Sequence, residues 1–181
     1  TVATAQGDFA AARAFGEEGL ALYRRLGERR GEAIALHNLG YVAVRQGDSA
    51  SAHGLFTDAL AMMRAVGDRG FAAVTLSDLA LVALRLEEPE RAREALAESL
   101  GLVDELGARS EGAYALEASA QLALAGGDAA RAARLGAAAE ALREAMGSPL
   151  VPSEELERQD FLARVEQALG PEAWAAERAG G

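Results

Sequence analysis

The chain repeats itself every 40 residues, and that period decides what it can fold into. Gly-Asp pairs stand at Gly7-Asp8, Gly47-Asp48 and Gly127-Asp128, with Glu87-Glu88 followed by Pro89 in the remaining place. Ala12, Ala52, Ala92 and Ala132 keep the same step, as do Leu20, Leu60 and Leu100, and so do the pairs Leu26-Gly27, Val66-Gly67, Leu106-Gly107 and Met146-Gly147. The other half of the unit carries Ala33, Ala73 and Ala113, then Leu36, Leu76 and Leu116.

Between the breaks, apolar and small residues recur at three- and four-residue steps, so each unit predicts two helices; strand signals are absent. The expected helices lie near 8–26, 31–46, 48–66, 70–86, 89–106, 110–125, 128–146 and 154–169, with a short one at 171–178. Asp48 is placed to cap a helix with its carboxylate, and Gly47 to take the left-handed turn before it. Pro89 falls at a first helical position, where its missing N–H costs nothing.

Short connections force antiparallel neighbours, so the fold class is all-α: an α-solenoid of helical hairpins with a C-terminal capping helix. Residues 1–147 read as one partial and three complete repeats, and 148–181 as a linker and capping helices. Gly40, Ala80 and Ala120 on first helices, with the Ala12 column on second helices, allow close axial approach. Phe15, Phe56, Leu96 and Leu135 are expected to fill the layers between repeats. Leu156, Phe161, Leu162, Val165 and Leu169 form the expected apolar face of the cap, with Glu154 and Glu155 in its first turn.

Composition removes several function classes. The chain has no cysteine and no lysine, which excludes thiolate chemistry, cysteine-based metal sites, a phosphate-cradling GxxxxGK[ST] loop and a Schiff-base lysine. A formal net charge of −10 repels the phosphate backbone, so direct nucleic-acid binding is not expected. No apolar stretch is long enough to span a bilayer, and the start does not read as a signal peptide, giving an expectation of a cytoplasmic chain with no membrane partner. Acidic groups such as Glu17-Glu18 and Glu87-Glu88-Glu90 read as solvated surface. His37 and His53 lie on different helices and do not make a metal site. No catalytic residue, cofactor or metal ligand is expected.

Asn38-Leu39-Gly40-Tyr41, followed by Gly47-Asp48, Ala52, Phe56 and Ala59-Leu60, resembles the tetratricopeptide repeat in a form with both helices lengthened. The run Ala132 to Pro152 with Leu169-Gly170-Pro171-Glu172-Ala173-Trp174 resembles the C-terminal repeat region of LuxR-type and related ATPase-coupled bacterial transcriptional regulators. The first resemblance implies a concave groove lined by first helices. Carried over by register, its positions are Ile34, His37, Tyr41, Val44 and Arg45; Val74, Ser77, Leu81, Leu84 and Arg85; and Tyr114, Glu117, Gln121, Leu124 and Ala125. The second implies a sensor or docking arm whose partners include a flanking ATPase domain of the same chain and, as an effector, a small molecule. A free-standing scaffold protein is the alternative.

Arg45 and Arg85, one period apart, read either as partners for acidic groups of a bound peptide or as cations on their own helix C-termini. An enzymatic site around His37, Tyr41 and Glu117 ranks last, since none has a partner at a spacing that chemistry demands. Trp174, Phe161 and Val151 read either as an exposed patch or as folded back on the last hairpin. By register, Thr1 begins inside a first helix, so the native chain is expected to be longer. The apolar end around Val2, Phe9, Phe15 and Leu20 is expected to drive self-association.

Overall fold

The computed structural model describes residues 9–179, apart from a few side chains near the C-terminus. Among the described residues there are nine helices and no strand. They are α1 Phe9–Leu26, α2 Arg29–Arg45, α3 Ser49–Val66, α4 Arg69–Arg85, α5 Pro89–Leu106, α6 Arg109–Ala125, α7 Ala129–Met146, α8 Pro152–Leu169 and α9 Pro171–Ala179. Each begins and ends within about two residues of its expected place. Gly7, Asp8 and Val2 lie outside the described residues. The chain divides into two compact units, one ending at Leu102 and the other starting at Val103.

The breaks work by one repeated hydrogen-bond scheme. At the first break, Asp48, Glu88 and Asp128 donate their N–H groups to the carbonyls of Ala43, Ala83 and Ala123, each at 2.9 Å. That bond closes only if the residue before it is left-handed. Gly47 (φ 79°) and Gly127 (φ 82°) adopt this without cost, but the third such residue is Glu87, at φ 60°. At the second break Gly27, Gly67, Gly107 and Gly147 all have φ between 60° and 76°.

Asp48 and Asp128 cap the following helices as expected, accepting from the N–H of Ser51 and Arg131 at 3.0 Å. Hydrogen bonds from Ser51 hold the Asp48 carboxyl below its usual pKa. Asp68, not singled out from sequence, does the same for α4: it accepts from Phe71 N at 3.1 Å and from Arg30 Nε at 2.7 Å. Burial pushes its carboxyl up, but these two donors outweigh the burial and the net shift is downward.

In the first unit the alanine columns lie in the core. Ala33, Ala52, Ala73, Ala80 and Ala92 are all buried. Volume is balanced across facing helices at one position of the repeat. Where α3 carries the buried Phe56, α2 offers Gly40, and an added Cβ there would stand 2.7 Å from the Phe56 ring. Where α1 carries Gly16 in place of that phenylalanine, Leu39 of α2 fills the space, its Cδ2 2.6 Å from where a Cβ would be.

The layer-filling expectation is corrected here. The 40-residue register joins Phe56 and Leu96, both buried, to Gly16 and Gly136; Phe15 and Leu135 stand one residue earlier. One residue turns a helix by about 100°, and Phe15 is accordingly 63 % exposed. Leu20 is buried against Leu36, Leu39 and Ala59 and so is not part of an open end. Leu100 is exposed, and Ser99 beside it takes the buried position.

In the second unit, Ala120, Ala132 and Ala133 pack with Phe161 and Val165 of α8, and Trp174 of α9 leans on the same cluster. Phe161 thus also fills the space left by Gly136. Trp174 and Phe161 fold back while Val151 stays exposed. Leu156 is exposed too, because five residues back from Phe161 is about 140° away around α8. In its first turn, Glu155 accepts from Arg158 and Gln159, which holds its carboxyl at about 2.

Replacing Glu87 by Gly removes a left-handed strain of about 1–2 kcal/mol at a modest entropic cost; a net gain of about 1 kcal/mol in urea unfolding is expected, whereas Gly67→Ala loses a similar amount. Glu155, lowered in the folded chain, keeps its contribution above its unfolded pKa and loses it as pH falls towards 2. A carboxyl NMR titration of Arg158→Ala is expected to find the Glu155 pKa raised towards the ordinary glutamate range, with the Gln159 donor still holding part of the shift.

Candidate binding face

Three of the expected groove residues, His37, Ser77 and Glu117, occupy one position of the repeat on α2, α4 and α6. Each is engaged inside its own unit. His37 Nε2 lies 2.8 Å from Asp78 Oδ2, and its ring is held between Phe56 and Phe71 at centroid distances of 5.1 and 4.8 Å. Its Nδ1 is buried without a hydrogen-bond partner. The Asp78 carboxylate accepts, so the hydrogen between the two groups lies on Nε2.

Ser77 is fully enclosed: its hydroxyl lies 3.0 Å from that of Ser99, and Ser99 donates to the Ala73 carbonyl at 2.8 Å. Glu117 accepts two hydrogen bonds from Arg143, from Nε at 2.6 Å and Nη2 at 2.9 Å. The guanidinium also sits 4.6 Å from the centroid of the Tyr114 ring, and the Arg143 side chain is only 9 % exposed. Hydrogen bonding to Glu117, with the nearby Tyr114, raises the Arg143 pKa above the usual arginine range.

The remaining expected positions are partly open. Ile34 and Tyr41 come together with Asn38 of α2 and Phe15, Gly16, Gly19 and Tyr23 of α1 around a cleft of about 180 Å³. Its walls are apolar, with two phenols and one amide as polar handles. Val74 and Leu81 are half-buried on α4. Arg45 is half-buried at the end of α2. Arg85 is exposed and reaches back one repeat, its Nη1 donating to the Val44 carbonyl at a long 3.5 Å. That carbonyl belongs to the last turn of α2, not to the helix Arg85 ends. In the second unit Gln121 accepts from Arg164 at 3.5 Å. His53 lies on α3, and no cluster of metal-ligating side chains occurs among the described residues.

Arg143 and Asp78 were not singled out from the sequence. A signal existed for Arg143: by the 40-residue step its predecessors are Tyr23, Met63 and Val103, so a cation breaks an apolar column. Asp78 follows Asn38 in its column and offers no such contrast.

This arrangement has known counterparts. The family model described as Tetratricopeptide repeat matches residues 1–65. The chain is similar in structure to BtubC (BKLC) from P. vanneervenii, at 20 % identity and TM-score 0.70, over 98 % of this chain and 76 % of that one. It is also similar to two structures of the nearly identical TPR-like repeats of a Podosopora anserina protein described as a kinesin light chain. Both are 18 % identical over 98 % of this chain, with TM-scores of 0.66 and 0.64, over 88 % and 90 % of those chains. No curated protein matches. The chain therefore has the all-α fold of tetratricopeptide-like helical repeats, the α-solenoid class. Among the described residues no helix is long and apolar enough to cross a membrane.

The Glu117–Arg143 pair yields a direct test. Glu117→Gln leaves a buried guanidinium short of its counter-charge and is expected to cost roughly 2 kcal/mol in chemical denaturation. A double-mutant cycle with Arg143→Leu is expected to give a coupling of about 1–3 kcal/mol.

Proposed function

We propose that the chain is a protein-binding module that holds a peptide or helix against the first-helix face of its first unit. The contacts are Tyr41, Arg45, Leu81 and Arg85, with Ile34 and Val74 as the apolar floor. One observation carries this reading: the polar groups deepest in that face, His37 and Ser77, are paired internally, which leaves recognition to the rim. There Arg85 is an exposed, delocalised cation with one long contact among the described residues. Arginine forks match carboxylates, so the preferred ligand carries acidic residues beside apolar anchors.

In its finer form, the module is the sensor or docking arm of a larger bacterial transcriptional regulator, acting by differential binding of a protein, peptide or small-molecule signal to one arrangement of the arm over an ATPase domain. The resemblance of Ala132 to Trp174 to the tails of such regulators supports it. A scaffold that only gathers partners uses the same face. No catalytic step is assigned to the chain, in keeping with what tetratricopeptide scaffolds ordinarily do.

Peptide-display selection on the immobilised chain tests the reading. Enriched sequences are expected to combine acidic and apolar positions, and the charge reversal Arg45→Glu with Arg85→Glu is expected to weaken their binding by at least about tenfold. Enrichment of sequences that bind the reversed protein equally well overturns the groove assignment.

A further inference from the structure

Helix α5 departs from the repeat in its C-terminal part, and the departures weaken it as a helix. The place of Gly101 is held by Ala21, Ala61 and Ala141 at the same step of 40, and all four residues are exposed. A Cβ added at Gly101 would meet nothing within 4 Å, so no packing demand calls for glycine there. In a helix interior, glycine is disfavoured against alanine by roughly four- to fivefold in the helix equilibrium. Three residues on, Asp104 and Glu105 stand where α1 has Arg24 and Arg25 and α3 has Arg64 and Ala65. Helix α7 has Glu144 and Ala145 there but keeps Arg143 in its last turn, whereas α5 has no cation in its last turn. The final carbonyls of a helix are its negative pole, so each carboxylate beside them disfavours the turn by up to roughly fivefold. These differences belong to the helix itself and hold whatever packs against it.

The first part of α5 has the opposite character. Pro89 opens it with Glu90 in the first turn, the favourable end for an acid. Arg91 pairs with Glu88 and Arg93 with Glu90, and Ala92, Leu96 and Ser99 are sealed from solvent. The division of the chain into two compact units comes after Leu102, inside the weak stretch.

We propose that residues 101–106 form a joint, a stretch of α5 that opens and recloses by itself while α4 and the part of α5 up to Ser99 stay folded. Opening releases the amides of 102–106, each bonded four residues back in an α-helix. It leaves in place the bond from Ser99 to the Ala73 carbonyl, at 2.8 Å, which ties α5 to α4. Segments that move are drawn from the least stable parts of a fold, and here the sequence lowers helix stability at one point of one second helix.

Hydrogen exchange of the 181-residue chain, read amide by amide in NMR where reclosing outpaces exchange, is the test. The amides of 102–106 are expected to be at least about tenfold less protected than those of 62–66 at the same step of α3, with a rate almost independent of low urea, the mark of a small opening. Gly101→Ala is expected to slow them roughly fivefold, and Asp104→Arg roughly two- to tenfold. Gly54→Ala, at an exposed glycine inside α3 where a Cβ also has open space, separates local from global opening. It is expected to slow the slowest amides of α4, which open only with the whole unit, and to leave those of 102–106 unchanged. Equal protection in the two helices, no slowing by Gly101→Ala, or slowing of 102–106 by Gly54→Ala to the same extent as α4 overturns the proposal. None of these variants touches Arg45 or Arg85, so failure here leaves the peptide-binding reading to its own test.

Discussion

Close approach of helices at alanine and glycine is the constraint on which the rest depends. Ala33, Ala52, Ala73, Ala92, Ala113 and Ala132 are sealed from solvent, and all lie on two columns of the 40-residue repeat. With only nine aromatic residues in 181, the core gains its burial from many small contacts, and those require short distances between helix axes. Short distances in turn make the few large side chains conditional. Phe56 is tolerated because Gly40 faces it; Leu39 is needed because Gly16 faces it; Phe161 fits because Gly136 does. Enlarging one partner without shrinking the other would force the helices apart and open the alanine columns on either side.

Against this small-residue background the buried and half-buried polar pairs stand out as sources of specificity. Ser77 with Ser99, His37 with Asp78 and Glu117 with Arg143 differ in chemistry although their first members share one repeat position. An apolar column of uniform shape would accept a repeat slipped by one whole period, because every alanine would meet another alanine. A hydroxyl pair, an imidazole with a carboxylate, and a carboxylate with a guanidinium are not interchangeable, and an exchange would leave a polar group buried and unpaired. Their contribution is to register more than to net stability, since a buried ion pair recovers little beyond its own desolvation.

The fold was legible in the sequence because the features that make it are periodic. Gly67 and Gly147 end helices, Asp48 and Asp128 begin them, and the Ala52 column packs them; each announces itself by recurring. Misreading came where a one-residue error of register rotates a side chain by a quarter turn or more, as with Phe15 against Phe56, and where the apolar face was drawn too wide, as with Leu156 on α8. The candidate face was less legible for a different reason. Whether Ser77 lines a groove or is sealed depends on Ser99, 22 residues away on another helix, and whether Glu117 is available depends on Arg143. Such pairings are settled side chain by side chain and leave no period behind them.

The departures from the repeat therefore carry more information about this chain than the repeat itself. Glu87 takes a left-handed turn that glycine takes at Gly47 and Gly127; Gly16 replaces the phenylalanine of the next unit and leaves Leu39 to fill behind it; Arg143 replaces the methionine two units earlier. The consequences differ with location. A break in the Phe56 column is repaired from the neighbouring helix and stays silent at the surface. A break in the Met63 column recruits Glu117 and withdraws it from the face it would otherwise offer to a ligand. In a scaffold whose backbone is dictated by period, the binding character of each unit is set by which side chains such internal repairs consume and which they leave at the rim.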